Sequence, residues 1–295
     1  MKISILTATY NRGLELQKLY ESLVQNSNFD VSLEWLIMDD GSTDDTKVIV
    51  QNLKGNNNLT IKYFYQKNMG KMTAINNLIS YVSGDLIIEC DSDDYLKENA
   101  IRTINLKYSL LEDTTNIYAL AFLKYNEKLC NIGSMFRDDE YASTMFDLYF
   151  KDGLTGDKCL VFIADVRKKY SYILEDNEKF ITEARMFNEM DKNYKILCFN
   201  QPIMICKYLE DGYSSNIIDI FKENPYGYYE YFKQLFDFDM NDVLFSKRLY
   251  IIKHYILFCY LTKQNNIIKN VKGKLNKFLV MILLIPGYVK AKFIF

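Results

Sequence analysis

The chain has 295 residues, 49% of them hydrophobic and 25% charged, with a formal net charge of −2. That length can bury a full core, as one large domain with an extension or as two domains. Without a basic excess it offers nothing general to nucleic acid, and its one histidine, His254, excludes a histidine zinc site or a Ser-His-Asp triad of the usual form.

Residues 2–10 alternate about an apolar centre and predict a first strand, and the apolar stretch from Ile3 to Leu6 is too short for a signal peptide. With six scattered cysteines and no C-x-x-C pair, this predicts a cytoplasmic chain with buried, reduced thiols. Asn11 opens a turn into a helix whose Leu14, Leu19 and Leu23 suit one buried face. A second strand over 33–38 ends in Asp39-Asp40-Gly41-Ser42. Ser42 with Asp45 resembles a capping box, Asp standing in for Glu, ahead of a helix carrying Val48, Ile49 and Leu53. A third strand over 60–65, a helix over 70–82, a fourth strand from Leu86 and a helix over 97–111 follow. Strand and helix alternating four times predict an α/β fold, a mainly parallel sheet with helices on both faces. G-x-G-x-x-G is absent, and Gly70-Lys71 is not followed by Ser or Thr, so neither a dinucleotide fingerprint nor a P-loop is present.

Beyond residue 115 the alternation fades. Strands are expected over 117–124, 159–163, 195–198 and 203–208, a helix over 180–190, and a helical, aromatic-rich extension over 216–295. Aromatic stripes in 219–262 read first as core, with a dimer contact or a cover over the acceptor as the other uses. Phe278 to Val289 is apolar but interrupted by Pro286-Gly287, too short to span a bilayer, and flanked by lysines. It suits an element on an anionic membrane surface, or a terminal helix docked on the domain or on another subunit.

The fourth strand, Leu86-Ile87-Ile88-Glu89, ends in Asp91-Ser92-Asp93-Asp94. Ligands of open α/β sheets bind outside the carboxyl ends of the strands. Carboxylates so close repel unless a cation lies between them, and hard cations bridge carboxylates to phosphates. Asp91 and Asp93 therefore read as holders of Mn²⁺ or Mg²⁺ against a diphosphate. The other reading is a solvated acidic turn capping the next helix.

Four motifs in register, Thr7-Ala8-Thr9-Tyr10-Asn11-Arg12, Asp39-Asp40-Gly41-Ser42-Thr43-Asp44, Asn68-Met69-Gly70-Lys71, and Gly84-Asp85 leading to Asp91-Ser92-Asp93-Asp94, closely resemble family 2 glycosyltransferases of the GT-A fold. The likeness covers about residues 1–215. It implies a nucleotide-diphospho-sugar donor, UDP-sugar favoured, bound by Thr9, Tyr10, Asn11, Asp39, Asp40, Lys71, Asp91 and Ser92. Tyr10 would stack on the base, Asp39 would accept hydrogen bonds from base or ribose, and Asp40 would support that loop or cap the helix. Lys71 would offset diphosphate charge or stand solvated. The metal would lie on Asp91 and Asp93.

The same resemblance implies an inverting transfer with a carboxylate base at a helix start. Glu183 matches best, with Glu178, Glu175 and Asp157 as rivals, and Asp157-Lys158 would line the acceptor or donor sugar site. The function expected is bacterial cell-surface polysaccharide or glycolipid synthesis on a saccharide or lipid-linked acceptor, peripheral on the inner face of the cell membrane. Two alternatives stand beside it. One is a non-catalytic module of this fold that recruits a partner transferase. The other is a nucleotidyltransferase, which the slot Thr9-Tyr10-Asn11-Arg12-Gly13, not glycine-rich, disfavours.

Overall fold

The computed structural model describes residues 1–27, 30–175, 177–207 and 217–294, with side chains through residue 284. The chain begins as expected: β1 (Lys2–Thr9), α1 (Gly13–Asn26), β2 (Ser32–Asp39), α2 (Thr46–Asn52), β3 (Leu59–Tyr65), α3 (Lys71–Ile79) and β4 (Leu86–Glu89). β1 lies parallel between β2 and β4, with Ile3 opposite both Leu33 and Leu86. The near-continuous apolar runs of these strands are buried on both faces, as a parallel sheet covered by helices requires.

The helix faces differ from the expectation at two points. Leu14 is exposed, and α1 buries Gly13, Leu16, Leu19 and Leu23 instead. Leu14 lies five residues from Leu19, about 140° round the helix and off the buried stripe. Val48 is exposed for a similar reason, since α2 buries Thr46 and Val50. The capping box does not form. Asp45 precedes α2 without a side-chain cap, and Ser42 Oγ instead accepts from Asn11 N–H at 2.8 Å. Gly13 is required by close approach, because a Cβ there would stand 2.9 Å from Thr46 Cα.

After β4 come β5 (Tyr95–Leu96), α4 (Ala100–Ser109), β6 (Ile117–Asn126), β7 (Tyr141–Ser143), a π-helical turn (Asp147–Lys151), β8 (Lys158–Ile163), α5 (Ala164–Arg167), α6 (Ala184–Asp191) and β9 (Lys195–Cys206). The mixed sheet runs β3-β2-β1-β4-β8-β6-β9-β5, with β7 also on β9 and helices on both sides. β8 is antiparallel to β4 and β6, and β9 is parallel to β6. The two strands expected over 195–208 are one. Its interruption at Pro202 appears as a register shift against β6, and Tyr208 lies outside the described residues.

Glu34 is wholly buried in β2. Burial would raise its carboxyl, but Ser4 Oγ at 2.6 Å, Ser83 N–H at 2.7 Å and the Lys2 ammonium hold it at about 2. It ties β2 to β1 and to the turn before β4.

Contacts divide the chain otherwise than by one cut after residue 215. Residues 1–144, 154–171 and those of β9 form a sheet unit. Residues 145–153, 172–191 and the helices α7 (Ile217–Glu223), α8 (Pro225–Gln234), α9 (Phe245–Leu261) and α10 (Lys274–Ile294) form a helical unit. The boundary at 215/216 lies outside the described residues.

The aromatic stripes pack the helical unit's own core. Tyr228 and Phe232 stack on Phe258 at 5.3 and 5.6 Å, and Phe236 meets Tyr255 edge-on. His254 stacks on Phe232 at 5.1 Å. α10 runs on through 286–287, where an interruption is expected. Among the described residues no helix is long and apolar enough to cross a membrane. Five cysteines are buried, Cys130 is exposed and all six are free.

Candidate functional site

Parallel strands deliver their carboxyl ends to one edge. Here β1, β2 and β4 deliver Thr9-Tyr10-Asn11, Asp39-Asp40 and Asp91 to Asp94 to the same rim of the sheet unit. The first two groups are locked together. Asn11, at φ 51, accepts at Oδ1 from Thr43 N–H at 2.8 Å. Asp39, 1% exposed, accepts from Ser42 N–H at 2.7 Å and from Tyr63 O–H at 2.6 Å. Each of its oxygens thus accepts one hydrogen bond from the protein. Asp40 accepts from Gln66 Nε2, Met69 N–H and Gly70 N–H at 2.7 to 2.8 Å. It anchors the loop that enters α3, at a glycine with φ 93 that a side chain would strain. Tyr10 is 48% exposed, its ring open at the end of β1. Thr9 Oγ1 is buried and has no hydrogen-bond partner among the described residues.

The anchored loop places Lys71 in the first turn of α3. Its ammonium lies 2.6 Å from Asp91 Oδ1, so Lys71 is a paired cation at the acidic rim rather than a solvated one. Burial raises the Asp91 carboxyl, but Lys71 and Lys124 outweigh it and hold the group low. Ser92 and Asp93 are half-buried. Burial and the charge of Asp91 push Asp93 up, and it has no ion-pair partner among the described residues.

Asp94 plays another part. It is 6% exposed, accepts from Cys206 Sγ at 2.9 Å and lies 3.7 Å from Lys124 Nζ. Burial raises its carboxyl to about 6 against the pull of Lys124. The acidic burst does not cap a helix, because β5 follows it directly and α4 starts later, after Asn99, without a side-chain cap. Lys124, Cys206, Tyr63 and Gln66 were not singled out from sequence. The lysine was the one visible signal, a charge at the end of the buried run IYALAFL in β6.

The donor chemistry fits a hard divalent cation. Asp91 and Asp93 offer carboxylate oxygens, and their mutual repulsion is what a cation relieves. Among the described residues no group of three or more His, Cys, Asp or Glu could hold a metal. Two carboxylates would supply only part of a coordination sphere, as for ions that phosphates and water complete.

Glu183 belongs to the helical unit, immediately before α6, where its carbonyl accepts from Met186 and Phe187 N–H. Two of its rivals are committed elsewhere. Glu178 accepts from Tyr226 and Gly227 N–H at 2.6 and 2.7 Å, opening α8, and Glu175 pairs with Arg185 at 3.0 Å. Asp157 is exposed in the sheet unit. Its neighbour Lys158, lowered to about 8 by burial, donates to the carbonyls of Thr155 and Gly156 and so clamps its own turn. A hollow of about 370 Å³ lined by Met1, Asn105, Tyr108 and Glu112 lies at the amino end of β1, a strand's length from the carboxylates.

An open α/β sheet with a D-x-D pair and a lysine at its carboxyl rim places charged groups at the edge where ligands of such sheets bind. Residues 4–141 match the family model described as Glycosyl transferase family 2. An uncharacterized glycosyltransferase of Mycoplasma pneumoniae is 40% identical over 115 residues, 38% of this chain and 37% of that protein. The GalNAc(5)-diNAcBac-PP-undecaprenol beta-1,3-glucosyltransferase of Campylobacter jejuni is 38% identical over 108 residues, 36% of this chain and 34% of that one. The matched stretch thus spans about a third of these relatives.

Among solved structures, S. aureus TarS 1-349 in complex with UDP-GlcNAc aligns with a TM-score of 0.64 at 16% identity, over 99% of this chain and 90% of that one. The mannosyltransferase PcManGT from Pyrobaculum calidifontis, in complex with GDP-Man and Mn²⁺, aligns with 0.53 at 12%, over 98% and 73%. These likenesses concern the fold.

Proposed function

We propose that this protein is an inverting glycosyltransferase that moves a sugar from a nucleoside-diphosphate donor, a UDP-sugar, to a hydroxyl of a saccharide or lipid-linked acceptor. The observation that carries the reading is the rim pair Asp91 and Asp93 with Lys71 beside it, a site of opposed charges in need of a phosphate-bridging cation. Tyr10 offers a ring for the base, and the loops pinned by Asn11, Asp39 and Asp40 shape the pocket around it. Thr9 has a buried hydroxyl with capacity to spare, Ser92 lines the D-x-D turn, and Lys71 meets the diphosphate. Asp91 and Asp93 would hold Mn²⁺ or Mg²⁺, which when bound neutralises charge on the departing diphosphate.

In the step itself the acceptor oxygen bonds to the anomeric carbon as the bond from that carbon to the diphosphate oxygen breaks. The hydroxyl proton passes to Glu183, since a sugar hydroxyl is too weak an acid to react unaided at neutral pH. Support for a UDP-sugar comes from the TarS complexes with UDP and UDP-GlcNAc. The undecaprenol-linked acceptor in the Campylobacter relative's name supports a lipid-linked acceptor, and with it work in cell-surface polysaccharide or glycolipid synthesis at the inner face of a membrane.

Incubation with a panel of nucleotide sugars and Mn²⁺, following release of free nucleotide, tests this. Release from one donor, abolished by Asp93→Asn, is expected. Failure to turn over or bind any donor overturns the reading.

A further inference from the structure

The charges of this chain are segregated. From Val243 to Phe295 there are ten lysines and arginines and not one aspartate or glutamate, while the first 242 residues hold the other 26 basic residues and all 38 acidic ones. The single arginine of that stretch, Arg248, is buried and bonds to Asn276 Oδ1 at 2.8 Å. The nine remaining cations are lysines, and those from Lys253 to Lys277 are exposed.

α10 is apolar on two sides. Asn276 and Val280 face the helical unit's core, whereas Leu275, Phe278 and Ile282, spaced i, i+3, i+7, are each more than half exposed, with Met281 beside them. Lys274 and Lys277 flank that outer stripe. Water is a poor neighbour for four large apolar side chains on one face.

We propose that this outer face of α10, with the lysines around it, docks on an anionic lipid bilayer, the stripe entering the headgroup region and the lysines meeting lipid phosphates. A second copy of the chain fits poorly, because an isologous contact would set one lysine-rich face against another, although Asp237 pairs with Lys272 at 2.7 Å. An acidic protein fits less well than lipid: protein interfaces favour arginine and are poor in lysine, whereas membrane-surface helices use lysine. The helix lies on the bilayer and does not cross it. This gives the membrane face of the proposed function its physical contact and does not depend on the transfer chemistry.

The test is co-sedimentation of the full chain with vesicles of phosphatidylcholine alone and of phosphatidylcholine mixed with phosphatidylglycerol. Binding to the mixed vesicles only, weakened by salt, is expected. Lys274→Glu with Lys277→Glu should weaken it at least about fivefold per lysine. Phe278→Ser with Ile282→Ser should weaken it at least about tenfold. Both variants should keep the parent's thermal melt and UDP binding, which separates lost docking from lost folding. Equal binding to both vesicles, binding to neither, or a lipid-free dimer dissolved by Phe278→Ser overturns the proposal. Nucleotide release in solution without vesicle binding sinks the docking alone, and vesicle binding without release from any donor sinks the transfer alone.

Discussion

Lys71 Nζ stands 2.6 Å from Asp91 Oδ1, so the cation at one end of α3 already occupies an oxygen of the D-x-D pair. On the proposed function, lysine and divalent ion would compete for Asp91 until a diphosphate drew the lysine away. Lys71→Met should bind Mn²⁺ several-fold more tightly than the parent without nucleotide, and UDP about tenfold more weakly, a loss of about 1.4 kcal/mol. Calorimetric titration of each ligand alone reads both. Unchanged Mn²⁺ affinity would show that the pair does not gate the site.

Asp93 is a rim carboxylate without an ion-pair partner among the described residues, held up by burial and by Asp91. Asp93→Asn removes that repulsion together with the charge, so the fold should lose nothing in thermal melting. Nucleotide release should fall by roughly a hundredfold or more, and chelation of divalent ions in the parent should have a similar effect. A variant with parental turnover would end the metal assignment.

Under the proposed function Glu183 is the base and Glu178 the acceptor that opens α8. Glu183→Gln should lower kcat by about a hundredfold or more with UDP binding intact. Glu178→Ala should instead cost stability, about 1–2 kcal/mol, because Tyr226 and Gly227 lose their acceptor at the start of α8. Stopped turnover with unchanged melting in the Glu178 variant would reverse the assignment.

Asp94 gives a pH signature. Its folded value of about 6 lies above the ordinary 3.8, so its contribution favours the folded state at low pH and is lost as pH rises through about 6. Lys124 is the cation that limits this loss. Lys124→Met should therefore lose stability more steeply than the parent between about pH 5 and pH 8. The deficit should reach about 3 kcal/mol at the upper end, from the buried charge left unpaired. Urea unfolding across that range measures it, and a deficit independent of pH would place the coupling elsewhere.

The order of strands β1 to β4, the helices between them and the acidic rim were legible because a parallel sheet writes each strand as one apolar run and leaves its polar residues at the ends. The second half was less legible. β5 and β7 are short and carry no periodicity of their own, and they exist because β9 offers its edge. Pro202 looked like a break and is a register shift, because the pairing with β6 resumes beyond it.

By itself the sequence determined which residues reach the rim: chain order and strand polarity alone carry Tyr10, Asp39, Asp91 and Asp93 to the carboxyl ends of their strands. Only the tertiary structure decided what each does there. It turned Asp39 and Asp40 inward onto loop amides, set Lys71 against Asp91, and buried Asp94 against Lys124 and Cys206. The reason is physical: a carboxylate's role depends on which donor stands within about 3 Å, and those donors lie from 3 to 112 positions away along the chain.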